Sequence, residues 1–203
     1  MDHTASQTPG QTPSQTVGPF FGYSLPFGAG ADVVAPWHAH AITLHGRVLD
    51  GDGTPVPDAL LETWQHRPDG TAPATPGSLH RRPDHFTGFG RVPTDPDGAY
   101  VLHTLRPGPV PGPPGYAPHL AVVVFARGLL HHLHTRCYLP EDVADSGDPL
   151  LTALDPDRAA TLVAVADGER RYRHDIRLQG EHETAFLDLT SLDLSASSTG
   201  SIQ

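Results

Sequence analysis

His119 stands at the head of an apolar run, LAVVVFA (Leu120–Ala126), behind the Pro/Gly-rich approach RPGPVPGPPGYAP (Arg106–Pro118). A stiff approach followed by a strand is a good mount for an imidazole metal ligand. Alternate residues of a strand share a face, so a second ligand is expected at position 121. That position is Ala121. A phenolate could project from the approach, but Val110 stands in its middle and its only tyrosine is Tyr116. One imidazole does not hold an iron or zinc ion. These residues describe a catalytic scaffold whose own metal site is vacant, with a vestigial His119, and a function that depends on a partner.

Other chemistry-bearing residues fall into weaker patterns. His38 and His40 have H-x-H spacing but no third ligand near them. His131, His132 and His134 lie in HHLHTR; if this run is a strand, His132, His134, Arg136 and Tyr138 share one face. A polar sheet face against another subunit is the preferred reading there over a zinc site. Arg136, by pattern alone, reads as a solvated surface group, although a planar guanidinium is also the usual holder of a carboxylate. Cys137 is the only cysteine, which excludes an internal disulfide, suits a reducing compartment and reads as a packed small hydrophobe. Asp95, Asp97 and Gly98 begin like a calcium loop but lack the downstream glutamate. No G-x-S-x-G elbow supports hydrolase chemistry.

The elements that must position these groups are strands. Ala41–Leu49 alternates, Asp50-Gly51-Asp52-Gly53 turns the chain, and Ala59–Gln65 follows; Asp95-Pro96-Asp97-Gly98 repeats the device before Ala99–Leu105. Asp-Gly turns between apolar runs signal hairpins. Further strands are expected at Leu120–Ala126, His132–Leu139, Thr161–Val165, Tyr172–Gln179 and His182–Leu187, with short helices at Pro140–Val143 and Pro149–Leu154. About eight short strands with turn chemistry between them predict an all-β protein, a β-sandwich with long loops. His66–Arg82 is the longest of those loops.

With 203 residues and 37% hydrophobic content the chain supports one domain. Residues 1–12 and 191–203 are expected to be disordered tails, 13–30 an extended N-terminal arm rich in Phe20, Phe21, Tyr23 and Phe27, and 31–190 the sandwich. All 13 cationic residues are arginine, which removes Schiff-base chemistry and lysine-bearing phosphate loops. The net charge of -10 speaks against a nucleic-acid partner. Neither a signal peptide nor a membrane-spanning run is apparent, so the expectation is a cytoplasmic protein with no membrane partner.

Four separated stretches then resemble one family. HGRVLDGDGTPVPDALLETWQ (His45–Gln65), GFGRVPTDPDGAYVLHTLRPGPVPG (Gly88–Gly112), APHLAVVVFARGLLHHLHTRCYL (Ala117–Leu139) and YRHDIRLQGEHETAFLDL (Tyr172–Leu189) together resemble the intradiol ring-cleaving dioxygenases. ARGLLHHLHTR and the arm PSQTVGPFF (Pro13–Phe21) are most similar to the alpha type of subunit of the family's heteromeric, protocatechuate-cleaving members. The resemblance implies ferric iron, Fe(III), held by two tyrosines and two histidines in a beta subunit, and cleavage of protocatechuate by O2. It implies that this chain holds no iron and no catalytic residue of its own. The ligand positions are lost at Val110 and Ala121, and no tyrosine between Trp64 and Tyr100 supplies the other phenolate. It further implies that Thr16, Gly18 and Pro19 line the partner's pocket, that Arg136 reaches the substrate, and that the chains form a higher-order alpha-beta oligomer. Two alternatives stay open: a non-catalytic, transthyretin-like β-sandwich used for binding or assembly, and a free-standing metalloenzyme using His38, His40 or the cluster from His131 to His134.

Overall fold

The computed structural model describes residues 21–73, 85–109, 115–144 and 146–189. Its elements are α1 (Phe21–Ser24), β1 (Ala41–Leu49), β2 (Leu60–Trp64), β3 (Phe89–Pro93), β4 (Ala99–Leu105), β5 (His119–Phe125), β6 (Leu133–Tyr138), α2 (Pro140–Val143), α3 (Pro149–Ala153), α4 (Pro156–Ala160), β7 (Val165–Ala166), β8 (Arg171–Arg173) and β9 (Ile176–Arg177). They make the all-β sandwich expected from the alternating runs. One sheet runs β4-β1-β8-β7 with β9 also on β1, and the other runs β3-β2-β5-β6.

Side-chain alternation builds the core between the sheets. Ile42, Leu44 and Val48 of β1, Tyr100 and Leu102 of β4, Leu61 of β2 and Leu120, Val122 and Val124 of β5 all point inward and are buried. Polar residues on the inward faces are satisfied: Thr104 donates to the Gln65 side-chain oxygen at 2.8 Å, Gln65 donates to the Leu105 carbonyl at 2.8 Å, and Thr135 donates to the Ala185 carbonyl at 2.9 Å. Cys137 is fully buried in this core and desolvation raises its thiol pKa strongly, so it packs as a small hydrophobe.

The two Asp-Gly segments are corners rather than hairpins. β1 and β2 lie in different sheets, and so do β3 and β4. Each turn forms as its residues dictate: Asp50 Oδ1 accepts the Asp52 and Thr54 amides, and Asp95 Oδ1 accepts those of Asp97 and Ala99. The chain then crosses the sandwich. Buried Thr94 locks the corners together, accepting from the Ala59 amide at 2.9 Å and donating to the Val56 carbonyl at 2.8 Å. Gly98, at φ 67, packs where a Cβ would lie 2.8 Å from the Val48 carbonyl.

Four further differences concern local elements. β3 and α4 form where the amino-acid pattern predicts neither a strand nor a helix. Thr161–Val165 is largely irregular, pairing only through the Tyr138–Val163 bridge and β7. Of His182–Leu187, only Leu187 pairs with a strand, at His134; the rest is a turn returning the Thr184 amide to the Arg177 carbonyl at 3.0 Å. No helix among the described residues is long and apolar enough to cross a membrane. The two tails, residues 74–82 of the expected loop, and Val110 lie outside the described residues.

Buried His174 ties β1 to the start of β9. Its amide donates to the His45 carbonyl at 2.8 Å, its Nε2 pairs with the Thr161 carbonyl at 3.0 Å, and its own carbonyl accepts from the Tyr100 hydroxyl. Desolvation pushes its pKa below the ordinary 6.5. The unfolded chain therefore takes up the proton first, so stability is full above about 6.5 and is lost as pH falls below it. The melting temperature should decline between about pH 7 and pH 5, each coupled proton accounting for at most about 1.4 kcal/mol per pH unit. His174→Gln retains an amide donor for Thr161 and should flatten part of that decline, with the remainder carried by His119 and His134, which burial lowers in the same direction. Melting curves of both proteins across this range check it.

Candidate functional site

What faces away from the core on the four-stranded sheet is set by register. β2 pairs with β3 and β5, and β5 with β6, so Phe89, Trp64, Ala121 and Arg136 form one row across the outer face. The next row holds Arg91, Glu62, Val123 and His134, and at the other side His119 pairs with Tyr138. His119, Ala121 and Arg136 are therefore immediate neighbours on one surface.

Each has defined partners. His119 Nδ1 lies 2.9 Å from the Ala117 carbonyl, and its ring sits 5.3 Å from that of Tyr138. Desolvation is the main reason its pKa falls below 6.5; the positive charge of Arg136 works in the same direction. Half-buried Arg136 donates from Nη1 to the Tyr138 hydroxyl at 3.0 Å, and Tyr138 donates to Asp148 Oδ1 at 3.3 Å. Burial pushes the Tyr138 pKa up to about 12, so it stays a neutral phenol. Asp148, 1% exposed, also accepts the Leu150 amide at 2.9 Å as the N-cap of α3 and the Ala117 amide at 2.9 Å. Its carboxylate thus joins the start of α3, the entry to β5 and the end of β6. No acidic side chain among the described residues pairs with the Arg136 guanidinium.

The described part of the arm is fastened beside this face. Phe21–Ser24 is one helical turn rather than extended chain. After it, Arg91 of β3 donates to the Leu25 carbonyl at 2.8 Å, stacks over the Phe27 and Phe89 rings at 5.7 and 5.5 Å, and pairs with Glu62 at 2.6 Å. The Arg91 amide donates to the Gly30 carbonyl, while Val33 and His103 exchange backbone bonds with β4 and Ala31. Gly30–Val34 thereby covers an edge of each sheet.

A family model described as dioxygenase matches residues 36–180, a span that takes in both sheets. The chain belongs to the intradiol dioxygenases. Among the relatives of this intradiol dioxygenase chain, the protocatechuate 3,4-dioxygenase alpha chain of Burkholderia cepacia is 40% identical over 196 residues, covering 88% of this chain and 98% of that one. The beta chain of the same organism's enzyme is 35% identical over 137 residues, covering 62% of this chain and 53% of that one. Among solved structures, the dioxygenase domain of a dioxygenase carbohydrate-binding protein fusion from Streptomyces sp. SirexAA-E superposes with a TM-score of 0.53 at 25% identity, covering 86% of this chain and 99% of that one.

The family's chemistry rests on non-haem iron, and the residues on this dioxygenase's outer face do not fit that ion. His119 offers one nitrogen. Its neighbour on the face is the methyl of Ala121, the adjacent strand brings the cation Arg136, and Tyr138 is held neutral with its proton directed to Asp148. A ferric ion would meet one ligand and a like charge. Among the described residues no three histidine, cysteine or acidic side chains gather to hold a metal.

Thr16, Gly18 and Pro19 lie outside the described residues, as does Val110. His38 and His40 are exposed, and His38 Nδ1 accepts the His40 amide at 3.1 Å. His132 and His134 stack edge-on at 4.7 Å and, with His131 and Leu187–Leu189, line a cavity of about 420 Å³. His134, Arg136 and Tyr138 do share a face of β6, while His132 precedes the strand.

Sequence reasoning missed Asp148, Glu62 and Arg91. The run Asp148-Pro149, an N-cap before proline at the first helical position, was a legible signal for the start of α3. The Glu62–Arg91 pair had none, because residues on separate strands meet only once register is known. Arg91→Met should release the root of the arm, exposing half-buried Glu62 without its partner. Hydrogen exchange at the Gly30 and Asp32 amides, which bond the Phe27 and Ala29 carbonyls, should speed up roughly tenfold, as expected for loss of about 1.4 kcal/mol. Exchange within β5 should not change.

Proposed function

We propose that this chain is the metal-free alpha subunit of a heteromeric protocatechuate 3,4-dioxygenase, inactive alone, which completes the site of an iron-bearing beta subunit. The assembled enzyme opens protocatechuate between its two hydroxyl-bearing carbons with O2, yielding 3-carboxy-cis,cis-muconate. Both oxygen atoms enter the product, so no external reductant is required. Fe(III) on the beta subunit supplies the activation of the catechol; this chain contributes walls and charge. The near-complete, 40% likeness to an alpha chain carries the reading, and the outer face supports it. That face carries Ala121 beside His119 and, opposite it, a guanidinium with no acidic partner among the described residues.

In this reading Arg136 reaches across the subunit interface to the substrate carboxylate, which stands opposite the catechol oxygens. The arm, residues 13–30, leaves the edge of β3 and delivers Thr16, Gly18 and Pro19 to the partner's pocket, where a Gly-Pro turn allows close backbone approach. Residues 31–190 are the folding unit, and alpha-beta pairs assemble into a higher-order oligomer in the cytoplasm, a setting that suits the lone, buried Cys137 thiol.

Protocatechuate carries the carboxylate and catechol does not, so the two substrates separate charge recognition from general damage. A charge-assisted hydrogen bond contributes roughly 1.5–3 kcal/mol. In the assembled enzyme, Arg136→Leu should therefore lower kcat/KM for protocatechuate by roughly ten- to a hundredfold, with a much smaller loss for catechol. Equal losses for both substrates, with iron content intact, would assign Arg136 to the interface alone.

A further inference from the structure

The contact between Arg136 and Tyr138 raises a question that the proposed role of Arg136 leaves open: what aims the guanidinium. A four-rotor arginine side chain at a half-exposed position is ordinarily disordered by its own rotamer freedom. Where an arginine is fixed in a protein, a carboxylate commonly does it, but a carboxylate in direct contact also neutralises the charge that an incoming anion needs. Here the nearest acidic group along the hydrogen-bond chain, Asp148, stands one hydroxyl further away.

We propose that Tyr138 is the positioning residue for Arg136, holding the guanidinium through a neutral phenol so that it is aimed while its charge remains available to the substrate carboxylate. The proposal rests on the reading of Arg136 given above.

Three observations support it. The polarity of the chain is consistent from end to end: the guanidinium N–H donates to the phenol oxygen at 3.0 Å, and the phenol O–H donates to Asp148 at 3.3 Å. The base of the chain is immobile, because Asp148 is 1% exposed and is also bonded to the amides of Ala117, Leu150 and Leu151. Tyr138 itself is 0% exposed although it lies on the outer face, where Leu162, Ala117 and Ala185 pack with it beneath Val143 of α2, Leu150 and Leu151 of α3 and Leu154 just after α3. Its ring therefore has one orientation, and its hydroxyl is a fixed point from which Arg136 is steered. The small second cluster that covers Tyr138 then has a purpose beyond closing the end of the sandwich.

The test compares Tyr138→Phe, Arg136→Leu and the double variant in the assembled, iron-loaded enzyme, with protocatechuate and catechol as substrates. Tyr138→Phe deletes one oxygen and leaves Asp148 with its backbone donors. It should lower kcat/KM for protocatechuate about two- to tenfold more than for catechol, the range expected for one neutral hydrogen bond. The loss should fall on KM, because a carboxylate clamp acts on bound substrate and transition state alike. In the double variant it should add nothing to the loss from Arg136→Leu, because the hydroxyl acts only through the guanidinium.

If Arg136→Leu removes the discrimination and Tyr138→Phe leaves it intact, the positioning role is overturned and the role of Arg136 stands. If Arg136→Leu leaves discrimination intact, the reading beneath both fails. A Tyr138→Phe loss that is equal for the two substrates, additive to Arg136→Leu, or accompanied by failure to assemble would make the hydroxyl a structural group and overturn the proposal.

Discussion

The burial of Leu120, Val122 and Val124 is the constraint on which the site depends. These side chains enter the shared core with Leu44, Val48 and Leu102 at no more than 3% exposure. With the apolar set of β5 inside, a slip of one residue would turn that whole set out to the other face. His119, Ala121 and Val123 therefore face outward, and antiparallel pairing with β6 places Arg136 opposite Ala121 and Tyr138 opposite His119. The same hydrophobic alternation that stabilises the sandwich thus brings Arg136 beside Ala121 and His119 on the outer face.

Electrostatics sets Arg136 apart from several other arginines of the chain. A chain of net charge -10 has many acidic side chains with which its arginines can pair, and several do: Arg91 with Glu62, Arg106 with Asp142, Arg127 with Asp58. Arg136 is held instead by a phenol that desolvation keeps protonated. A half-buried guanidinium without an acidic partner among the described residues keeps its charge for the role proposed for it. The same cation disfavours a metal ion next to His119.

Much of this was legible in the amino-acid order. Alternation located β1 and β4 with the bounds the structure has, and β5 to within a residue at either end. The Asp-Gly segments predict hairpins but form corners, because local turn chemistry is the same for both; only non-local pairing of β1 with β4 and of β2 with β5 decides between them. β3 escaped because FGRVP carries glycine, arginine and proline, and its strand identity comes from the Glu62–Arg91 pair and from pairing with β2. Asp148 escaped because its reach to Tyr138 and Ala117 spans three elements that sequence separation hides.

The central claim is that this chain shapes a site whose metal belongs to its partner. The most direct measurement is the iron content of this chain purified alone and of the complex formed by co-expression with an iron-bearing beta chain. The account predicts no tightly held iron in the isolated chain, which should be colourless. In the complex it predicts one ferric ion for each alpha-beta pair, with the colour of tyrosinate-to-iron charge transfer. Stoichiometric, tightly bound iron in the isolated chain, or two ions for each pair, would contradict it.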